Sequence, residues 1–118
     1  MGALMIKFDT KQLESWANIL ANWADEMPLR HVYMFDRPRT RDGVDCLGLA
    51  IEFGPPARTD GWTRWIKQHD TYFSEIQASL GLPIMLYADK ADSAWQSIRV
   101  AAQNPILTVR KVRVVRVA

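Results

Sequence analysis

Val32-Tyr-Met-Phe-Asp-Arg-Pro-Arg-Thr-Arg-Asp-Gly-Val-Asp-Cys-Leu-Gly-Leu-Ala-Ile-Glu-Phe53 reads as strand, arginine-rich turn, strand. Residues 30–35 are rich in β-formers and predict the first strand. Asp36 to Asp45 is polar, contains Pro38 and Gly43, and predicts a turn. Cys46 to Phe53 predicts a second strand whose side chains alternate by face. Leu47, Leu49, Ile51 and Phe53 make its large apolar face. Cys46, Gly48, Ala50 and Glu52 make a face of mostly small residues.

Upstream, residues 4–8 predict a short strand or an arm. Asp9 suits a helix N-cap, with Gln12 three residues on. Leu13, Trp16, Ala17, Leu20, Trp23, Ala24 and Met27 follow steps of three and four, the apolar stripe of a helix. Pro28 ends it. Downstream, Gly54-Pro-Pro56 breaks the pattern. Asp60 is placed to cap a helix with Trp62, Trp65, Ile66, His69, Phe73, Ile76 and Leu80 on one face, and Gly81 ends it. Pro83 to Tyr87 predicts a short buried strand. Asp92 or Ser93 caps a third helix carrying Trp95, Ile98 and Ala102, closed by Asn104-Pro105. Ile106 to Val117 is valine-rich with interleaved Arg and Lys, and predicts a strand or an ordered tail. The order helix, strand, turn, strand, helix, strand, helix, strand predicts an α+β fold, a mixed β-sheet with helices packed mainly on one face.

The 118 residues are 48% hydrophobic and 24% charged, which fits one domain over 1–118 with 109–118 as a basic C-terminal strand or tail. No apolar run approaches the roughly 20 residues that span a bilayer, so no membrane partner is expected. The N-terminus predicts no secretory signal. Cys46 is the only cysteine, which rules out an intrachain disulfide and a cysteine-rich metal site and points to a cytoplasmic protein. The net charge is only +2, but its distribution is uneven. Arg37, Arg39 and Arg41 crowd one turn, and Arg110, Lys111, Arg113 and Arg116 crowd the C-terminal segment. Such clusters attract anions or are simply solvated surface. Five tryptophans are expected mainly in the core, with one or two at an interface.

Residues 32–53, in this order of elements, resemble the minimal nucleotidyltransferase domain of the polymerase-β superfamily. That family pairs a strand ending in Phe-Gly-Ser with an Arg-x-Arg turn, then a strand carrying Asp-x-Asp before Leu-Ala-Ile. Val32-Tyr-Met-Phe35, Arg39-Thr-Arg41 and Leu49-Ala-Ile51 match the scaffold of that motif. Leu80-Gly-Leu-Pro-Ile-Met-Leu-Tyr87 resembles the approach to the family's third catalytic strand, and Ile98 to Leu107 its last helix and turn. The resemblance implies a nucleotidyltransferase-like sheet, and it implies where an active site would be.

The catalytic residues differ at each of those positions. Asp36-Arg37 stands where Gly-Ser lets backbone approach a triphosphate. The two aspartates should fall at Cys46 and Gly48, which share a strand face, and the third carboxylate at Met85. None of the three supplies the oxygen ligand that a hard divalent ion needs. Asp36, Arg37, Cys46, Gly48 and Met85 are therefore the degenerate active-site positions, with no catalytic or metal-ligating residue among them. Asp45 is out of phase with that face, and Glu52 shares it but lies at its far end.

The function expected from this reading is a catalytically inactive nucleotidyltransferase-like protein acting as a protein-interaction or regulatory, antitoxin-like module without a cofactor. The resemblance implies a homodimer or a helical HEPN-like protein as partner. Two alternatives stand beside it. One is an active enzyme using magnesium and a nucleoside triphosphate through relocated acids, with Asp45 or Glu52 as candidates. The other is an anion- or nucleic-acid-binding module using Arg37, Arg39 and Arg41, whose guanidinium groups suit phosphate or carboxylate. The chain lacks the aromatic motif of an RNA-recognition sheet. His69 reads as a packed or half-buried core histidine, His31 as a strand residue alternating with Val32, and Cys46 as an inert buried thiol. The valine-rich C-terminal segment reads as an exposed edge strand, guarded by charge or available to a partner's sheet.

Overall fold

A computed structural model describes residues 7–26, 29–53, 70–87 and 94–117. Three helices and six strands follow one another as α1 (Thr10–Glu26), β1 (Leu29–Phe35), β2 (Arg39–Arg41), β3 (Val44–Phe53), α2 (Asp70–Leu80), β4 (Ile84–Tyr87), α3 (Ala94–Ala101), β5 (Leu107–Val109) and β6 (Val112–Val115).

The hairpin forms the centre of the sheet. β1 runs antiparallel to β3, with Val32 opposite Ile51 and Met34 opposite Leu49. β6 lies parallel to β1 on its other side, and β5 folds back antiparallel on β6. β4 runs parallel to β3, with Gly48 opposite Met85. The strand order is β2-β3-β1-β6-β5, with β4 also on β3. The sheet is mixed, and the fold is α+β.

The alternation along β3 sorts the core into two layers. Leu47, Leu49 and Ile51 join Val32, Met34, Val112 and Val114 beneath α1 and α2. α1 buries Leu13, Trp16, Ala17, Leu20, Ala21, Trp23 and Ala24, the stripe that its periodicity predicts plus Ala21. Its first intrahelical bond runs from Leu13 N–H to the Asp9 carbonyl, 2.9 Å, which places Asp9 at the cap. Trp23 meets Phe73 of α2 at 5.2 Å between ring centroids. On the opposite face, Tyr33, Phe35, Ala50 and Val115 pack under Trp95, Ile98 and Ala102 from α3 and the turn after it. Two of the three helices thus share one face. Burying rings such as Trp23 and Trp95 is the main apolar gain of such a fold.

The predicted element boundaries change in two places. The expected turn 36–45 contains β2, because Asp42 (φ 52°) and Gly43 (φ 78°) both take positive φ and close a two-residue loop between Arg41 and Val44. That is the backbone a tight hairpin needs. β3 accordingly starts two residues before Cys46. The expected strand 106–117 is two strands, because Arg110 (φ 51°) begins a second tight turn between Val109 and Val112. β6 therefore lies inside the sheet between β1 and β5, and the edge position falls to β5. The segment proposed from sequence as an exposed edge contributes four valines to the core, with Val112, Val114, Val115 and Val117 buried. Of the strand or arm expected at residues 4–8, Lys7 and Phe8 form no strand. Its first residues, and Met27, Pro28, Asp60, Trp62, Trp65, Ile66, His69, Asp92 and Ser93, lie outside the described residues.

Candidate functional site

The face of β3 that carries Cys46 and Gly48 is where the family resemblance places chemistry. Neighbouring strands add Phe35 and Tyr33 from β1, Met85 and Tyr87 from β4, and Arg39 and Arg41 from β2. Cys46, Gly48 and Met85 do share this face, with Gly48 directly opposite Met85.

Aromatic packing fills the surface at its centre. Met34 lies opposite Leu49, which sets Phe35 beside Gly48. A Cβ added to Gly48 would fall 2.3 Å from Phe35 Cδ2 and 2.8 Å from Cε2, so the ring occupies the space of a side chain at this position. Phe35 in turn stacks with Tyr87, 5.4 Å between centroids at 27°. The Arg39 guanidinium carbon lies 5.0 Å from the centroid of Phe35, a cation–π distance. The Tyr87 hydroxyl donates to Met85 sulfur at 3.0 Å. A thiol, a hydrogen and a thioether are no ligand set for a magnesium-type ion, which takes carboxylate and other oxygens. Among the described residues, no group of three or more His, Cys, Asp and Glu is placed to hold a metal.

The other candidate acids sit elsewhere. Asp45 is on the opposite side of β3, where its Oδ1 accepts the Thr40 hydroxyl at 3.4 Å. Glu52 is engaged with His31, Nδ1 to Oε1 at 2.9 Å. This cross-strand pair was not expected from sequence. Finding it requires the register of β1 against β3, which is offset from that of β2. Arg39 faces Cys46, so an unbroken ladder would bring Phe35 opposite Ala50, where Tyr33 is found. Asp36, Arg37 and Pro38 take up the two residues. An even slip leaves every side chain on its original face.

That insertion separates the arginines. Arg37 Nε lies 3.8 Å from Asp36 Oδ1, at the sheet end. Arg39 and Arg41, two apart on β2, share the Phe35 face, and Arg41 is exposed. Asp36 is almost wholly buried and does more than pair with Arg37. Its N–H donates to the Val115 carbonyl at 3.1 Å, its carbonyl accepts Phe8 N–H at 3.0 Å, and Oδ1 accepts Val117 N–H at 3.2 Å. It joins the N-terminal arm and the C-terminal segment to the end of β1. Asp36 thereby braces the fold.

At the other end of the face, Tyr33 meets His31 at 5.9 Å and Trp95 at 6.0 Å between centroids. Burial raises the Tyr33 phenol pKa above 10.0, and the nearby Glu52 carboxylate raises it further, against smaller opposing effects of Arg113, Arg99 and Arg30.

The basic C-terminal cluster is largely used internally. Arg110 donates to Asp25 Oδ2 at 2.7 Å and to Asn22 Oδ1 at 2.6 Å. Lys111 donates to the Ala24 carbonyl at 3.4 Å. Cations belong at such a helix C-terminus, where carbonyls lack partners. Arg116 donates to the Asn104 carbonyl at 3.3 Å.

Among the described residues, no helix is long and apolar enough to cross a membrane. In comparison with known proteins, no family model, no curated protein and no solved structure matches the chain.

Proposed function

We propose that this chain is a nucleotidyltransferase-like scaffold without transfer chemistry, acting in the cytoplasm as a protein-interaction or regulatory module. Its partner is a second copy or a small helical protein of the HEPN kind, and it needs no cofactor. The observation that supports this reading is the Phe35 ring seated on Gly48, where the resemblance calls for a metal-binding carboxylate. Phosphoryl and nucleotidyl transfer depend on charge neutralisation and positioning, largely by metal. The residues at these positions do not fit such an ion.

The test is incubation of the purified chain with magnesium, α-labelled ATP and candidate acceptor proteins. The expected result is no label transfer. Magnesium-dependent transfer of AMP that is lost in Asp45→Asn or Glu52→Gln would establish the alternative enzyme with relocated acids. Sedimentation at rising concentration examines the homodimer; a monomer throughout would leave the helical partner.

One observation favours a second reading. β2 places Arg39 and Arg41 side by side on one face, so the hairpin is suited to an anionic partner surface. Binding of that kind weakens steeply with salt and drops when Arg39→Ala and Arg41→Ala are combined. Salt-insensitive binding would remove it.

A further inference from the structure

The sheet face that carries Phe35 and Gly48 holds a second cluster at its other end. His31 and Tyr33 are two apart on β1, with ring centroids 5.9 Å from each other. Glu52 lies opposite His31 on β3, and Arg113 lies opposite Tyr33 on β6. They project from one side of the sheet, because side chains repeat their face every second residue and paired residues share it. α3 adds Trp95, 6.0 Å from Tyr33 between centroids, and Arg99, whose guanidinium carbon is 5.7 Å from the Trp95 ring. The His31 and Glu52 side chains are 30% and 20% exposed, so the pair is shielded yet open to a solute.

The Glu52 carboxylate meets His31 at Nδ1, 2.9 Å away. In the neutral ring this contact holds the proton on Nδ1 and leaves the Nε2 lone pair as a base. The carboxylate then stabilises the imidazolium formed when Nε2 takes up a proton. The surroundings are cationic. Burial and Glu52 raise the Tyr33 pKa, and Arg113, Arg99 and Arg30 act against them, so these guanidinium groups lie within electrostatic reach of the phenol. The phenol keeps its proton near neutral pH and serves as a hydrogen-bond donor.

A base among cations suits an anionic substrate that gives up a proton as it reacts. RNA meets both conditions, because its 2′-hydroxyl adjoins the phosphodiester and is itself the nucleophile. We propose that this cluster cleaves single-stranded RNA by internal transesterification. His31 Nε2 removes the 2′-hydroxyl proton, and the 2′-oxygen forms a bond to the adjacent phosphorus. The bond from phosphorus to the 5′-oxygen breaks, and the Tyr33 hydroxyl gives the departing oxygen its proton. Tyr33 regains a proton from water, and His31 returns its own to water. The products are a 2′,3′-cyclic phosphate and a 5′-hydroxyl, and no second substrate is consumed. Arg113 and Arg99 neutralise charge on the five-coordinate phosphorus. Binding rests on phosphate and carries little base preference. This activity goes beyond the interaction role and is independent of it, since it uses the far end of the face and no nucleoside triphosphate.

Incubation of the full chain with end-labelled oligoribonucleotides of mixed sequence, and with their deoxy counterparts, tests the proposal. The expected result is cleavage of the RNA alone, with cyclic-phosphate ends seen by mass spectrometry. His31→Gln keeps an amide N–H for Glu52 but removes the base, and is expected to slow cleavage by about 100-fold or more. Glu52→Gln acts through His31, so it is expected to lower kcat by about tenfold or more with KM little changed. Should His31→Gln fail to fold, Arg113→Gln decides the matter, with an expected loss of about tenfold or more. Absence of cleavage of any RNA overturns the proposal. Cleavage left unchanged by His31→Gln and Arg113→Gln also overturns it, because that describes a contaminating nuclease. Equal cleavage of the deoxy strands does the same, because they lack the 2′-hydroxyl.

Discussion

Gly48 and Phe35 form one packing unit. The ring leaves no room for a β-carbon, and a filled core resists added volume. Gly48→Ala is expected to destabilise the protein by about 1–3 kcal/mol, read from urea midpoints. Because the obstruction is the ring, the penalty should shrink toward zero in a Phe35→Ala background, although Phe35→Ala itself costs about 3–5 kcal/mol. An undiminished penalty in the double mutant would separate the two residues. Tyr33 carries the second prediction. Its phenol pKa is raised in the folded chain, chiefly by burial, so the unfolded chain releases this proton first as pH rises. The stabilisation is fully present below about pH 10, the unfolded value, and is lost as pH climbs through the folded value. Urea midpoints measured from pH 9 upward, about one unit below the tyrosine reference value, should fall less steeply for Tyr33→Phe than for the parent.

The hairpin and its turns explain which elements could be read in advance. The α1 stripe was legible because a buried helix face repeats every three to four residues. β3 was legible because its apolar residues alternate. β2 was not, since Arg39-Thr-Arg41 has no apolar signature. Its only local mark is Asp42-Gly43, the dipeptide that accepts two positive φ values. Gly43 has open space around it, so the cost of a side chain there is conformational. Gly43→Ala is expected to destabilise by about 1–2 kcal/mol, while Asp42→Asn, equally able to adopt positive φ, is expected to be close to neutral. Equal effects of both changes in thermal melts would contradict this account. The two-residue slip at Asp36–Pro38 was invisible for a different reason. An even slip preserves the face of every residue, so hydrophobic pattern carries no trace of it. It nevertheless determines that His31 meets Glu52 and that Phe35 meets Gly48.

Taken together, the chain threads its last strand through the middle of the sheet. β6 bridges β1 and β5, and Asp36 binds Val115 and Val117. Deleting residues 110–118 is therefore expected to abolish cooperative unfolding and near-ultraviolet circular dichroism. A peripheral basic tail would leave both intact. The proposal of an interaction module also belongs to the molecule as a whole. It rests on a filled face at the position of the resembled active site and on basic side chains of which Arg110, Lys111 and Arg116 are bound internally.

Residue pattern was enough for the α+β class, the order of the main elements, the α1 core stripe and the absence of carboxylates at positions 46, 48 and 85, because each is a local property of side-chain type and spacing. Strand register, the interior place of β6, the buried Asp36 brace and the ring over Gly48 were decided by tertiary structure, because each is a meeting of residues far apart in the chain. The opening stretch shows both. Its strands follow from alternation, while its surface chemistry follows from two residues absorbed at a bend and from β4 and β6, which arrive from elsewhere to close the sheet.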